Sequence, residues 1–205
     1  TITATLSGKT YENVTVTLGN SGTATSGTDY SYTGSKTTSA DSLTGTDTFT
    51  STADDLYDAA SAEVATIEIS GVSGGGASES GTQSVDISIT DAESAPTVTL
   101  SRNNATVSED GGTSTITATL SGKTYENVTV TLGNSGTATS GTDYSYTGSI
   151  TISAGSLTGT DTFTSTADDL YDAASAESAT TEISGVSGGG ASESGTQSID
   201  IAITD

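Results

Sequence analysis

The stretch Ser114-Thr-Ile-Thr-Ala-Thr-Leu-Ser121 decides the fold, because apolar and polar residues alternate along it. Successive side chains of a β-strand point to opposite faces, so Ile116, Ala118 and Leu120 share one face. The intervening threonines favour a strand as well, since β-branched side chains fit a pleated surface. This stretch therefore predicts a strand with one face in a core.

The same alternation recurs on both sides of this stretch and predicts seven strands in all. In chain order they are Thr97–Val107 with a kink near 102–104, Ser114–Ser121, Asn127–Gly133, Ser149–Ser153, Leu157–Thr166, Ser178–Ser184 and Gln197–Thr204. The further inward residues are Val98, Leu100, Val128, Val130, Leu132, Ile150, Ile152, Ile183, Ile199, Ile201 and Ile203. The fifth strand is irregular, because Asp161 shares a parity with Leu157 and Phe163, and a β-bulge is one way to accommodate it.

Seven short strands separated by turn residues predict an all-β fold, an antiparallel two-sheet sandwich of the immunoglobulin type. The composition agrees, because Thr, Ser, Gly and Ala dominate, aromatic residues make up 5% and there is a single Pro. No apolar run reaches the length of a membrane span, so direct membrane insertion is not expected.

The chain repeats itself almost exactly. Residues 1–91 align with 115–205, and the pairs that differ are Lys36/Ile150, Thr38/Ile152, Asp41/Gly155, Val64/Ser178, Ile67/Thr181, Val85/Ile199 and Ser88/Ala202. A period this long is that of a whole domain. We predict two tandem sandwiches, 1–91 and 97–205, joined by a linker at 92–96. The first has no counterpart of residues 95–114, so it lacks its N-terminal strand and has an open edge.

The charge limits the possible partners. The formal net charge is -22, and the basic residues number four, which makes nucleic acid or an anionic membrane surface an unsuitable partner. The sequence contains no His and no Cys, so His-based nucleophilic catalysis and thiolate metal sites are excluded. Carboxylates bind hard cations such as Ca²⁺, although an acidic surface also serves solubility.

The order of the strands favours calcium over solubility alone. If each strand crosses the sandwich once, the connections after the first, third and fifth strands and the end of the seventh all lie at one end of the domain. Acidic residues occupy those places: Glu109, Asp110, Asp143, Asp168, Asp169, Asp172, Glu177 and Asp205. In the first copy the same end holds Asp29, Asp54, Asp55, Asp58, Glu63 and Asp91, with Glu93 just beyond. We predict Ca²⁺ at these ends, and a stiffened linker between the copies.

Three motifs in this pattern resemble the Calx-β domain, found in sodium/calcium exchangers and repeated in giant bacterial surface proteins. They are Thr106-Val107-Ser108-Glu109, Gly136-Thr137-Ala138 with Gly141-Thr142-Asp143-Tyr144, and Asp168-Asp169-Leu170-Tyr171-Asp172. The resemblance implies that Glu109, Asp143, Asp168, Asp169, Asp172 and Asp205 ligate calcium. The chain departs from the family at Ser175, where a Glu is usual, and the nearest acid is Glu177.

Near-identical copies resemble the extender regions of large calcium-dependent (RTX or biofilm-type) bacterial adhesins. This implies a non-enzymatic, extracellular segment on a bacterial cell surface that projects a distal binding domain. The expected partners are neighbouring repeats of the same polypeptide, with host or biofilm surfaces reached through other domains. Two alternatives stay open: a glycan- or protein-binding module, for which Tyr30, Tyr32, Tyr144 and Tyr146 could offer a stacking platform, and a pair of calcium-sensing domains.

Overall fold

The fold was obtained as a computed structural model that describes residues 1–58, 62–167 and 176–204. Every regular element in these ranges is a β-strand, as the alternation predicts. Within the same ranges no helix is long and apolar enough to cross a membrane.

The strands are numbered in chain order. The first nine are β1 (Ile2–Thr5), β2 (Val14–Gly22), β3 (Tyr30–Ser31), β4 (Ser35–Thr38), β5 (Thr44–Asp47), β6 (Thr50–Ser51), β7 (Leu56–Tyr57), β8 (Glu63–Ser73) and β9 (Ser84–Ile89). The others are β10 (Thr97–Arg102), β11 (Thr106–Ser108), β12 (Thr113–Leu120), β13 (Lys123–Thr124), β14 (Val128–Gly136), β15 (Tyr144–Ser145), β16 (Ser149–Ile152), β17 (Thr158–Ser165), β18 (Glu177–Ser187), β19 (Ser192–Glu193) and β20 (Ser198–Thr204).

The chain forms two compact units. Unit 1 contains Thr1–Asp54 and Ala60–Asp91, and unit 2 contains Ala92–Asp205 together with the short segment Asp55–Ala59. That segment belongs to unit 2 because β7 pairs in parallel with β13, Leu56 opposite Lys123 and Tyr57 opposite Thr124.

Unit 2 is a sandwich of two five-stranded sheets, which confirms the predicted fold class. One sheet has the order β15-β17-β12-β10-β19 and the other β11-β20-β18-β14-β16. All of the predicted inward residues lie in the core between the sheets, most of them fully buried, and Leu100 is partly buried. Tyr144 and Phe163 close one end of this core with stacked rings 4.6 Å apart.

The predicted kink near 102–104 is where the chain changes sheets. β10 pairs with β12 in one sheet, and after Arg102 the chain crosses to the other, where β11 pairs with β20. The Asn103 side chain holds the crossing, because its Oδ1 accepts a hydrogen bond from the Thr115 N–H at 2.7 Å. One predicted strand is therefore two, each with a different partner.

The predicted irregularity near Asp161 has another cause than a bulge. β17 pairs with β12 in unbroken register from Thr158 to Thr164. Asp161 simply points inward beside Phe163, with its residue 8% exposed. The register shift in unit 2 lies instead between Thr131 and Leu132, where β14 pairs with β18.

The described strands of unit 1 correspond to β12, β14, β15, β16, β17, β18 and β20, with β5 and β6 together in the place of β17, and none of them is equivalent to β10, β11, β13 or β19. Its described sheets have the orders β4-β2-β8-β9, β1-β5 and β3-β6. Its fully buried apolar cluster is smaller and consists of Ala24, Tyr30, Ala65 and Ile67, with partly buried residues around it. The predicted absence of an N-terminal strand in the first copy agrees with this arrangement.

Candidate metal centre

Hydrogen bonds tie the turn that carries Glu109 to the ends of two strands of unit 2. The Glu109 N–H donates to the Thr204 carbonyl at 2.9 Å, where β11 runs beside the end of β20. The Ser165 N–H donates to the Gly112 carbonyl at 3.0 Å, and the Ser165 hydroxyl donates to the Ser108 carbonyl at 2.6 Å. The turn that carries Glu109 is therefore tied to the ends of both β20 and β17.

Asp143 joins the same end through the next residue of the chain after β17. Its carbonyl accepts the Thr166 N–H at 2.8 Å, and its carboxylate oxygen Oδ2 accepts the Thr139 N–H at 2.6 Å. The turn is closed by Gly141, whose N–H donates to the Tyr144 carbonyl at 2.7 Å and whose φ of 84° favours glycine. Asp143 is thus fixed in position beside Thr166, directly after β17.

The motif Gly136-Thr137-Ala138 has a structural role at the same end. A Cβ on Gly136 would lie 2.2 Å from the Ser178 carbonyl oxygen, and its φ is 110°. Only glycine fits here, because a side chain would collide with backbone. The N–H groups of Thr137 and Ala138 both donate to that same carbonyl, at 2.9 and 3.0 Å.

The other predicted ligands of unit 2, Asp168, Asp169, Asp172 and Asp205, lie outside the described residues. Within the described ranges no three acidic side chains come close enough to share one ion. Glu109 and Asp143, both half-buried, are therefore the predicted ligands of unit 2 that the structure places. The ligand set as a whole stays a prediction.

The chemistry of these donors fits a hard cation. Every side chain predicted here offers carboxylate oxygen, and the sequence has no His, Cys or Met to suit a softer metal. One oxygen of the Asp143 carboxylate accepts a hydrogen bond, and a carboxylate has about four lone-pair sites, so the group can also bind a cation. Glu109 and Asp143 would hold such an ion from two separate connections.

Unit 1 repeats the Asp143 turn. The Asp29 Oδ2 accepts the Thr25 N–H at 2.6 Å, and its carbonyl accepts the Thr52 N–H at 2.8 Å. The remaining predicted ligands of the first copy divide between the units: Asp54 and Asp91 belong to unit 1, and Asp55, Asp58 and Glu93 to unit 2.

Asp55 has a partner that the sequence did not indicate. The Lys123 ammonium donates to its Oδ2 at 2.7 Å. This hydrogen bond, together with the attraction between the opposite charges, holds the pKa of the Asp55 carboxyl below its usual value. A calcium ion on Asp55 would lie beside this positively charged ammonium group.

Asp161 and its counterpart Asp47 are buried carboxylates that the sequence analysis did not assign a role. Asp161 Oδ2 accepts the Thr147 N–H at 2.9 Å and the Thr147 hydroxyl at 2.7 Å, and Oδ1 accepts the Thr162 N–H at 2.8 Å. The signal that could have found it was its inward parity with Phe163. Its contacts are those of a structural acceptor that fixes the approach to β16.

The tyrosines do not form a stacking platform from four exposed rings. Tyr30 and Tyr144 are completely buried, each against a phenylalanine, with centroids 4.7 Å and 4.6 Å apart. Tyr32 and Tyr146 stack on them at 6.0 Å and are half-buried. The rings cover the ends of the two cores.

Comparisons with known proteins give structural likenesses only. No family model and no curated protein matches this sequence. Among solved structures, CBD12 from CALX1.2 is 16% identical with a TM-score of 0.39, and the match covers 90% of this chain and 72% of that one. The calcium binding domain CBD12 of CALX1.1 is 12% identical with a TM-score of 0.37, over 90% and 73%.

A two-domain protein of unknown function from Bacteroides fragilis is 11% identical with a TM-score of 0.38. The match covers 54% of this chain and 45% of that protein, so the chain spans less than half of its length. All three TM-scores are below 0.5. The support for the sandwich fold and for the candidate site is therefore the geometry of this chain.

Proposed function

We propose that the chain is a calcium-stabilised structural segment of a bacterial cell-surface adhesin, an extender that projects a distal binding domain and has no catalytic activity. The observation that supports it most is the tie between the Glu109 turn, the Asp143 turn and the ends of β17 and β20. These bonds hold the turns of Glu109 and Asp143 at one end of unit 2, and carboxylates that come close together repel one another unless a cation lies between them.

The repeat supports the structural part of the proposal. Two copies that differ at only the seven pairs named above offer length or multivalency, whereas duplication adds nothing new to a catalytic site. The same near-identity places Asp29 in the turn that Asp143 occupies, whereas Glu109 has no counterpart in the first copy.

Thermal unfolding of the whole chain in calcium and in excess chelator tests the calcium site. A ligand that binds only the folded state stabilises it by about 2.7 kcal/mol at a hundredfold excess over its Kd, which for a domain of this size raises the Tm by about 10 °C or more. NaCl at matched ionic strength is the control for simple charge screening.

Two variants locate the ion. Glu109→Gln and Asp143→Asn should each lower the calcium-induced rise in Tm of unit 2, whereas Glu182→Gln, which removes an exposed charge from the middle of β18, should leave it unchanged. Equal Tm in calcium and chelator would mean that these carboxylates are solvated surface charges. Retention on a glycan array would then favour the binding-module alternative.

A further inference from the structure

A shallow cavity lies on unit 2 where the chain leaves β17 and crosses to the other sheet. β15 pairs with β17 only at Tyr144 and Ser145, and the chain then continues through Tyr146 and Thr147 to β16, which is the edge strand of the opposite sheet. The space between this crossing and β17 has a volume of about 460 Å³. Its lining includes Tyr146 on one side and Thr160 on the other.

The β17 side of the cavity presents backbone groups that do not pair with β12. The Leu120 N–H donates to the Leu157 carbonyl at 2.8 Å at one end of the pairing. The Ser165 N–H donates to the Gly112 carbonyl at 3.0 Å at the other end. Hydrogen-bonded pairs alternate along antiparallel strands, so these two bonds fix which residues of β17 bond to β12. Thr160 falls between bonded pairs, and its N–H and carbonyl point away from β12.

These two groups of Thr160 have no backbone partner on the other side either, among the residues that the structure describes. β15 ends at Ser145, opposite Thr164, and does not reach Thr160. The next position along this edge is occupied, because the Asp161 Oδ1 accepts the Thr162 N–H at 2.8 Å. An added strand could therefore not continue past Thr160, whereas a hydroxyl group, which donates and accepts, could satisfy its backbone groups.

The ring of Tyr146 forms the aromatic part of the lining. It stacks on the buried ring of Tyr144 with centroids 6.0 Å apart and planes 2° apart. Its hydroxyl donates to the Gly133 carbonyl at 3.4 Å. These contacts hold the half-buried ring in place beside the cavity. A fixed aromatic ring is a suitable surface for the C–H face of a sugar ring, because both are apolar and the aromatic face is negatively polarised.

The surroundings of the cavity carry hydroxyl groups and little charge. The outward residues of β17 and those of β12 opposite them are all threonines: Thr158, Thr160, Thr162 and Thr164, and Thr113, Thr115, Thr117 and Thr119. Asp161, the one charged residue in the described lining, is 8% exposed and already accepts three hydrogen bonds. It is thus a poor partner for a cationic ligand, and the net charge of -22 repels an anionic one. A neutral ligand rich in hydroxyl groups fits this chemistry.

We propose that this cavity binds one sugar residue of a neutral saccharide. The sugar ring would pack on Tyr146, and its hydroxyl groups would donate to the Thr160 carbonyl and accept from the Thr160 N–H. The inference does not depend on the calcium site, because none of these groups is a predicted ligand. The first copy has Tyr32 for Tyr146 and Thr46 for Thr160, with identical residues beside them, so we expect one such site in each unit.

NMR titration of the intact chain with neutral disaccharides tests the proposal. Cellobiose, lactose and mannobiose present glucose, galactose and mannose, and ¹³C-labelled tyrosine reports on the rings. At least one of these sugars should give saturable shifts of the Tyr146 and Tyr32 ring signals. The signals of Tyr11 and Tyr125, which are exposed and lie outside the cavity, should stay unchanged. Digalacturonic acid, which is negatively charged, should bind at least tenfold more weakly at the same ionic strength.

Substitution of the ring in both copies tests its role. Tyr146→Leu together with Tyr32→Leu should weaken binding of the disaccharide at least tenfold, because the stacking surface is lost. The matched control, Tyr125→Leu together with Tyr11→Leu, should leave binding unchanged. Urea unfolding of each variant checks that the fold is retained.

A second pair of substitutions leaves the rings in place. Thr160→Pro together with Thr46→Pro removes the N–H that points into the cavity and none that bonds to the neighbouring strand, a position where a strand tolerates proline. This pair should weaken binding severalfold. The absence of saturable shifts with all three disaccharides, binding that neither pair of substitutions weakens, or equal binding of digalacturonic acid would each overturn the proposal.

Discussion

A single buried carboxylate, Asp161, supports the backbone at the edge of unit 2. Replacing it with alanine leaves the Thr147 and Thr162 N–H groups without their acceptor, and each such loss in a buried site costs about 1–3 kcal/mol. We therefore expect Asp161→Ala to lower the free energy of unfolding of unit 2 by about 2–4 kcal/mol, measured by urea denaturation.

The matched control is Asp200→Ala. Asp200 is an exposed acid on β20 that accepts one hydrogen bond from the Thr180 hydroxyl at 2.6 Å, so its loss should change stability by about 0.5 kcal/mol or less. Equal effects of the two substitutions would show that the burial of Asp161 is of no consequence.

The ionisation of Tyr146 should lower the stability of unit 2 at alkaline pH. Its burial raises the pKa of its hydroxyl, and the neighbouring Tyr144 and Asp161 raise the pKa further. Since the folded-state pKa lies above the unfolded value of about 10, the stability linked to Tyr146 is complete below that pH and is lost as pH rises through the folded-state pKa.

NMR titration of the tyrosine ring carbons tests this shift. Tyr146 should ionise at a higher pH in the folded chain than in the chain unfolded in urea, and Asp161→Asn should reduce the difference by removing a nearby negative charge. An ionisation midpoint that is identical in the folded and unfolded chains would contradict the assignment.

At the scale of elements, strand β4 is where the two copies differ most in packing. Thr38 is 1% exposed, and its hydroxyl has no hydrogen-bond partner within the described residues. Its counterpart Ile152 fills the same position in β16 at 0% exposed. Thr38→Ile should therefore stabilise unit 1 by about 1–2 kcal/mol, because it removes a buried unpaired hydroxyl and adds apolar contact.

The reciprocal substitution Ile152→Thr should destabilise unit 2 by about the same amount or more, since its core is more complete. Differential scanning calorimetry of both variants measures the two shifts. If both substitutions destabilised the chain, the packing around β4 and β16 would differ by more than these side chains.

Thr38 and Ile67, which replace Ile152 and Thr181 of the second copy, both line the same cleft of unit 1 but lie at separate positions along β2. Thr38 lies opposite Val14 and Ile67 opposite Asn20, at the two ends of β2. Six residues of strand separate those positions by about 20 Å. Lys36, where the second copy has Ile150, lines this cleft as well.

At the scale of the whole molecule, the two units have cores of different size. Unit 2 buries a continuous apolar cluster from both sheets, whereas the buried cluster of unit 1 has four residues and an open cleft beside it. Because stability scales with buried apolar area, we expect two unfolding transitions in urea, with unit 1 unfolding first.

The fluorescence of probes attached separately at the exposed positions Ser39 and Ser153 distinguishes the two transitions. A single transition shared by both probes would contradict the expected order.

Much of the fold could be predicted because its pattern is local. A residue shares its face with those two positions away, so alternation alone places Ile116, Val130 and Ile201 in the core. The kink after Arg102 and the duplication are equally visible in the sequence. Strand order then predicts which connections share an end, and the hydrogen bonds of Glu109, Asp143 and Ser165 bring those connections of unit 2 together.

The sequence by itself determined the strands, their inward faces and the repeat, and it predicts an acidic end for each copy. The tertiary structure alone decided which groups distant in sequence meet, such as Asp161 with Thr147 and Asp55 with Lys123. The physical reason is that periodicity fixes the direction of a side chain relative to its own strand. Its hydrogen-bond partner and its cover come from strands distant in sequence, and their register is settled only when the sheets pack.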